Sequence, residues 1–161
     1  MKIRRLAVLA CIVVTIASWA FAQSGAKSRT HVTISPDELK WGPPPPALPP
    51  GSEIAVLHGD PSKAGSDFVI RAKFPDGYTV PPHWHQTDEN VLVLQGTIML
   101  GMGDKLDLTN ARELPAGSFA LMPAGMRHFA RAKGETILNI HGIGPFTVNY
   151  VNPADDPRNK K

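Results

Sequence analysis

The run Gly77-Tyr78-Thr79-Val80-Pro81-Pro82-His83-Trp84-His85-Gln86-Thr87-Asp88-Glu89-Asn90-Val91-Leu92-Val93-Leu94-Gln95-Gly96 decides how this chain is to be read. Side chains alternate along a strand, so His83 and His85 project from one face while Trp84 projects from the other. The triplet Gln86-Thr87-Asp88 has turn composition and lets the Glu89 carboxylate swing back beside the two imidazoles at the start of the next strand. About forty residues further on, Pro123-Ala124-Gly125 leads into His128. An isolated His-x-His is ordinarily an exposed or hydrogen-bonded pair. Here a carboxylate and a distant third imidazole accompany it, a nitrogen and oxygen set suited to a divalent transition ion.

Around this core the chain reads as all-β. From Glu53 onward no segment has a helical period, and short apolar or alternating runs recur between Gly, Pro and Asp punctuation. Expected strands are Ile54 to Leu57, Phe68 to Phe74, Thr79 to His85, Val91 to Leu94, Thr97 to Gly101, Arg112 to Leu114, Ser118 to Met122, Arg127 to Ala132, Thr136 to His141 and Phe146 to Val151. Turn chemistry separates them at Gly59-Asp60-Pro61, Pro75-Asp76-Gly77, Gln95-Gly96, Gly103-Asp104, Pro115-Ala116-Gly117 and Gly134. Many short strands at this spacing imply a sandwich or barrel.

Upstream, Ser35-Pro36-Asp37-Glu38 has a capping-box pattern and Gly42 can end the element, so a short N-terminal helix is expected between Ser35 and Trp41. Pro43 to Pro50 then forces extended backbone, a stiff arm laid over the surface. Trp41 is expected to anchor packing. The expected organisation is a signal peptide at 1–22, a lead-in at 23–52 with the short helix and proline-rich arm, a barrel at 53–152, and a polar, frayed tail at 153–161.

The first residues have the order of an export signal: Lys2, Arg4 and Arg5, an apolar run from Leu6 to Ala17, then Ala20-Phe21-Ala22 as the processing site. A periplasmic or extracellular location is therefore expected, with no stable membrane insertion after cleavage, because the run is shorter than the ~20 residues of a spanning helix. Cys11 precedes most of the apolar run, which argues against lipidation. It is the only cysteine, so after cleavage any metal must be held by nitrogen and oxygen. Removing Lys2, Arg4 and Arg5 from 17 basic residues leaves 14, equal to the 14 acidic ones. That balance, with no basic cluster carrying interleaved aromatics, excludes nucleic acid as the expected partner.

The residues above match both motifs of the cupin superfamily. The first, Gly-x5-His-x-His-x3-Glu-x6-Gly, is met in full from Gly77 to Gly96; the second, Gly-x5-Pro-x-Gly-x2-His-x3-Asn, is met from Gly117 through His128, with Ala132 in place of the final Asn. The chain thus resembles small single-domain bacterial cupins of the type-2 conserved-barrel kind. The resemblance implies a double-stranded β-helix, or jelly-roll barrel, holding one divalent ion (Fe, Mn, Ni, Cu or Zn) through His83, His85, Glu89 and His128, with one or two positions left for substrate. It also implies a homodimer formed through an N-terminal strand or sheet face, here the segment Glu53 to Leu57 with the proline arm.

Ala130 and Ala132 share a strand face with His128, and small side chains beside a ligand leave the volume a substrate needs. His141, with Asn139 on the same face, is open to two readings: a pocket residue or an ordinary hydrogen-bonded strand histidine. His31 and His58 are expected at the surface, and Met99, Met102, Met122 and Met126 in packing roles. Three neutral imidazoles and one carboxylate around a 2+ ion leave about one net positive charge, which favours an anionic oxygen. The expected function is an exported metal enzyme acting on a small oxygen-rich molecule, of the oxygenase, isomerase or lyase kind, with Glu89 as ligand or proton acceptor. The alternative is a non-catalytic, metal-dependent small-molecule binding or sensor module.

Overall fold

Eight strands form in the order β1 (Glu53–Gly59), β2 (Asp67–Phe74), β3 (Thr79–Trp84), β4 (Glu89–Met102), β5 (Arg112–Pro115), β6 (Phe119–Met122), β7 (His128–Ile143) and β8 (Asn149–Tyr150). They are seen in a computed structural model that describes residues 31–160. The expected signal peptide, its cleavage after Ala22, Cys11 and the polar lead-in to Thr30 lie outside the described residues. Among the described residues no α-helix forms and no helix is long and apolar enough to cross a membrane. Val32 onward forms one compact unit.

All pairings are antiparallel, and two long strands organise them. The first half of β4 lies between β6 and the second half of β7, which continues to β2 and β1. The second half of β4 lies between β5 and the first half of β7, which continues to β3 and β8. The sheet therefore folds back on itself into two five-stranded layers that share β4 and β7, the jelly-roll arrangement expected from sequence. Alternation along β2 buries Phe68, Ile70, Ala72 and Phe74, which meet Val91, Val93, Ile98, Leu138 and Ile140 from both layers in one core.

Gln95-Gly96 and Gly134 were expected to separate strands, yet β4 and β7 each run through them without a break. Gly96 has φ +72° and Gly134 has φ +72°, and the β4–β7 register shifts between Val93 and Gln95 and again between Gln95 and Thr97. A left-handed glycine at a bulge bends a strand without taking it off its ladder. At this corner the buried Thr136 hydroxyl lies 3.0 Å from the Thr97 carbonyl and 3.1 Å from that of Gly134, and donates to one of them.

Two terminal expectations change. In place of a helix from Ser35 to Trp41 there is one 3-10 turn at Pro36–Glu38, where the Ser35 amide donates to the Glu38 carboxylate at 2.7 Å. Leu39 turns extended, and Gly42 joins β1 instead, exchanging amide and carbonyl with Ile54 at 3.0 and 2.9 Å. The proline arm that follows is strapped down by two tyrosines, Tyr78 donating to the Pro49 carbonyl at 2.6 Å and Tyr150 to that of Ala47 at 2.8 Å. The C-terminal tail is not frayed: it makes 3-10 turns at Pro153–Asp155 and Pro157–Asn159, and Arg158 donates to the Val148 carbonyl at 3.1 Å.

Candidate metal centre

His83 and His85 reach the barrel interior through an irregularity in β3. Val80 also points inward, so strict alternation from it would send His83 outward. The β3–β7 register shifts between Val80 and His83, across Pro81 and Pro82, neither of which has an N–H to give to a ladder. That shift resets the phase, and both histidines are buried, at 4% and 3% exposure. Glu89 opens β4 opposite Met122 and Gly142 and is 6% exposed. His128 opens β7 opposite His83 and is 2% exposed.

The turn that launches His128 is tied to the first motif from two sides. The Gly125 amide donates to the His85 carbonyl at 2.9 Å, and the Ala124 amide donates to the Asp88 carboxylate at 2.8 Å. Gly125 has φ +78°, a conformation that favours glycine. On the far side Gly142 packs so closely that a Cβ would lie 2.7 Å from the Asp88 carbonyl oxygen. The two motifs therefore support one another physically.

Each histidine is held in the same way. Nδ1 of His83 lies 2.7 Å from the Pro81 carbonyl, that of His85 2.7 Å from Thr147, and that of His128 3.0 Å from Met126. A carbonyl can only accept, so Nδ1 carries the proton in all three rings and Nε2 is left as a lone pair. The ligating nitrogens of the three rings lie within 4.8 Å of one another. Glu89 Oε2 lies 3.3 Å from His85 Nε2 and 3.2 Å from His128 Nε2. His85 Nε2 is buried and makes no hydrogen bond, although the carboxylate is beside it.

Three lone pairs gathered within 4.8 Å of one another, with the Glu89 carboxylate beside two of them, repel one another unless a cation or a proton stands between them. Protonation is disfavoured at His83, whose pKa is pushed down to about 3 by burial first and then by His128 and His85. At Glu89 burial opposes the charge, and the carboxyl is held below its usual range only when the His128 and His85 rings also carry a proton on Nε2 to donate to it. The donor set thus fits a divalent ion, which binds imidazole nitrogen and carboxylate oxygen at ~2.0–2.2 Å. Phe146 stacks beneath His85 at 4.3 Å between ring centroids and shields it from water.

The cluster opens into a cavity of about 510 Å³. Ala130 lines it, as do Val91, Leu138 and Ile140. Ala132 does not: it is 1% exposed, in the core. Asn139 and His141 do not line it either, which corrects the pocket reading of that face. On β7 the inward positions are Leu138 and Ile140, so Asn139 and His141 point outward, and His141 is exposed. Sequence reasoning missed Asp88, Phe146, the proline arm and Arg158, all of which shape the site. Only Asp88 lay within a recognised motif; the arm was legible as a stiff connector over the surface but not as a cavity wall, and Phe146 and Arg158 carry no local signal.

The family described as "Domain of unknown function (DUF4437)" matches residues 52–160. No curated protein matches the sequence. Among solved structures, an acetylacetone dioxygenase from Acinetobacter johnsonii superposes with TM-score 0.64 and 18% identity, covering 84% of this chain and 87% of that one. The polyketide cyclase RemF from Streptomyces resistomycificus gives 0.63 and 18%, covering 80% and 91%. An RmlC-like cupin from Shewanella frigidimarina gives 0.55 and 14%, covering 73% and 94%. At such identities the likeness is one of fold, and that fold is the cupin barrel.

Proposed function

This chain belongs to the family described as a domain of unknown function (DUF4437), and from its site we propose that it is an exported, single-domain cupin of the type-2 kind that binds one divalent metal and acts on a small molecule through an oxygen-bearing head. The observation that carries the reading is the shared anchoring of three histidines by Nδ1, which gathers their ligating nitrogens within 4.8 Å of one another, with Glu89 Oε2 beside those of His85 and His128. His83, His85, His128 and Glu89 would hold the ion. Bound there, a divalent ion supplies Lewis acidity toward an anionic oxygen. The three carbonyl bonds fix the rings so that no rotation is needed at the moment of reaction. Glu89 Oε2 is placed to hold a proton if the carboxylate leaves the ion. That two fold neighbours are named for a dioxygenase and a cyclase supports an enzyme.

A second reading, a non-catalytic binding or sensor module, is favoured by one observation. Among the described residues outside the cluster, the only titratable side chain lining the cavity is Arg158. The two readings separate on the metal-loaded protein: turnover that disappears in His128→Ala, with the barrel still folded, removes the binder. The absence of any stoichiometric ion from protein purified from its native compartment removes both. We assign export to the basic start and apolar run of residues 1–22, to be checked by N-terminal sequencing of secreted protein. A homodimer would form through β1, which lies at a sheet edge with Val56 exposed; sedimentation giving a monomer rules it out.

A further inference from the structure

The cavity that opens from the histidine cluster has walls of one chemical kind. Strands from both layers contribute Ile70, Val93, Ile98, Leu114, Met122 and Leu138. The arm adds proline and Leu48, so the route from solvent is apolar too, its exposed side marked by Pro43, Pro45, Ser62 and Arg158. Beyond the three histidines and Glu89, only Ser62, Thr147 and Arg158 among the described residues bring polar side chains to the lining. Each is already engaged. Ser62 Oγ donates to Asp60 at 2.6 Å, and Thr147 Oγ1 accepts from Asn149 at 3.1 Å. Arg158 is clamped on the Asp156 carboxylate through Nε at 2.8 Å and Nη2 at 2.7 Å. What these side chains leave for a ligand hydroxyl is little: the Thr147 hydroxyl hydrogen and, on the exposed side, Arg158 Nη1 and the Ser62 oxygen.

We propose that the ligand of this cavity is a molecule with a hydrocarbon body and a compact anionic oxygen head at one end only. The proposal rests on the metal-cupin reading for the head and on the cavity wall alone for the body. It narrows the oxygen-rich expectation: oxygen belongs at the cluster, and carbon and hydrogen fill the remaining volume. Each methylene moved from water onto such a wall is worth about fourfold in affinity. Each hydroxyl buried there without a partner loses roughly 5- to 150-fold. A polyhydroxylated acid is thus rejected by the same surface that selects an alkyl or aryl acid.

The test uses the full folded chain loaded with Zn²⁺, a redox-inert ion, so that binding is read without turnover. Calorimetric titration with butanoate, hexanoate, octanoate and decanoate is expected to show Kd falling several-fold per added methylene until the cavity is filled, with gluconate not binding. A parallel series of 1-alkanols on metal-free protein reads the wall without the head and is expected to show the same dependence on chain length. Failure to take up Zn²⁺ defeats the metal reading but leaves the alkanol series to judge the wall. Ala120→Leu and Ala130→Leu reduce the volume from two different strands and are each expected to move the best homologue to a shorter chain. Affinity independent of chain length in both series, or gluconate binding as well as octanoate, overturns the proposal. So does an unchanged length preference in both filled variants while their thermal unfolding shows them folded.

Discussion

Acidification of the metal-free protein should destabilise it through His83, and the size of the effect follows from the site. The ring is buried with His128 at 4.2 Å and His85 at 4.9 Å between centroids, and Tyr150 at 6.1 Å. Its folded-state pKa is pushed down to about 3 from an ordinary 6.5, by burial first and by the two other histidines second, with Glu89 pulling the other way. Above pH 6.5 neither the folded nor the unfolded form carries the proton, and nothing is lost. Between 6.5 and 3 the unfolded chain binds a proton that the folded chain refuses, so stability falls as pH falls. Down to pH 4.5 this spans two pH units at ~1.36 kcal/mol each, or roughly 2–3 kcal/mol.

Urea unfolding in the presence of a chelator should therefore show the midpoint dropping by about 1–2 M between pH 6.5 and 4.5. His83→Asn keeps a donor for the Pro81 carbonyl and removes the titration, so its midpoint should change much less across the same interval. Identical slopes for the two proteins would refute the claim that His83 is buried as a neutral ring. Adding Zn²⁺ should carry the loss to lower pH in the unsubstituted protein, because the proton must then displace the ion.

Three further outcomes are expected. Gly96→Ala should cost about 2–4 kcal/mol, because a Cβ there meets the Glu135 carbonyl oxygen at 2.2 Å at φ +72°, whereas Gly103→Ala, at φ +106° with nothing within 4 Å, should cost only ~1 kcal/mol of backbone strain; denaturant midpoints compare them. Asp88→Ala should weaken metal binding about tenfold in a chelator competition while changing the unfolding temperature little, since Asp88 fixes the turn before His128 from an exposed position. Tyr150→Phe should lose ~1 kcal/mol with the Ala47 strap and lower the unfolding midpoint by a few degrees, with faster amide exchange at Ala47 and Leu48.

What could be read from sequence divides by the range over which the signal is written. The ligand spacing lies within short windows: His83 and His85 share a face by alternation, and Glu89 returns across three residues, so these placements are legible without a fold. Strand phase is not legible across a bulge. Val80 and His83 both point inward only because the Pro81-Pro82 step shifts the register, and the outward placement of Asn139 and His141 reflects a phase that no residue announces locally. Gly96 and Gly134 look in sequence like turn residues, and in the barrel they are corners of unbroken strands, since a positive φ serves both purposes. The cavity wall is assembled from seven strands, the proline arm and a C-terminal turn, so its apolar character has no local pattern at all. The head of the ligand is thus specified by a motif and its body by tertiary packing. Wall positions such as Ala120, Ala130 and Leu138 can change without touching the motif, so the choice of ligand body is to be sought there.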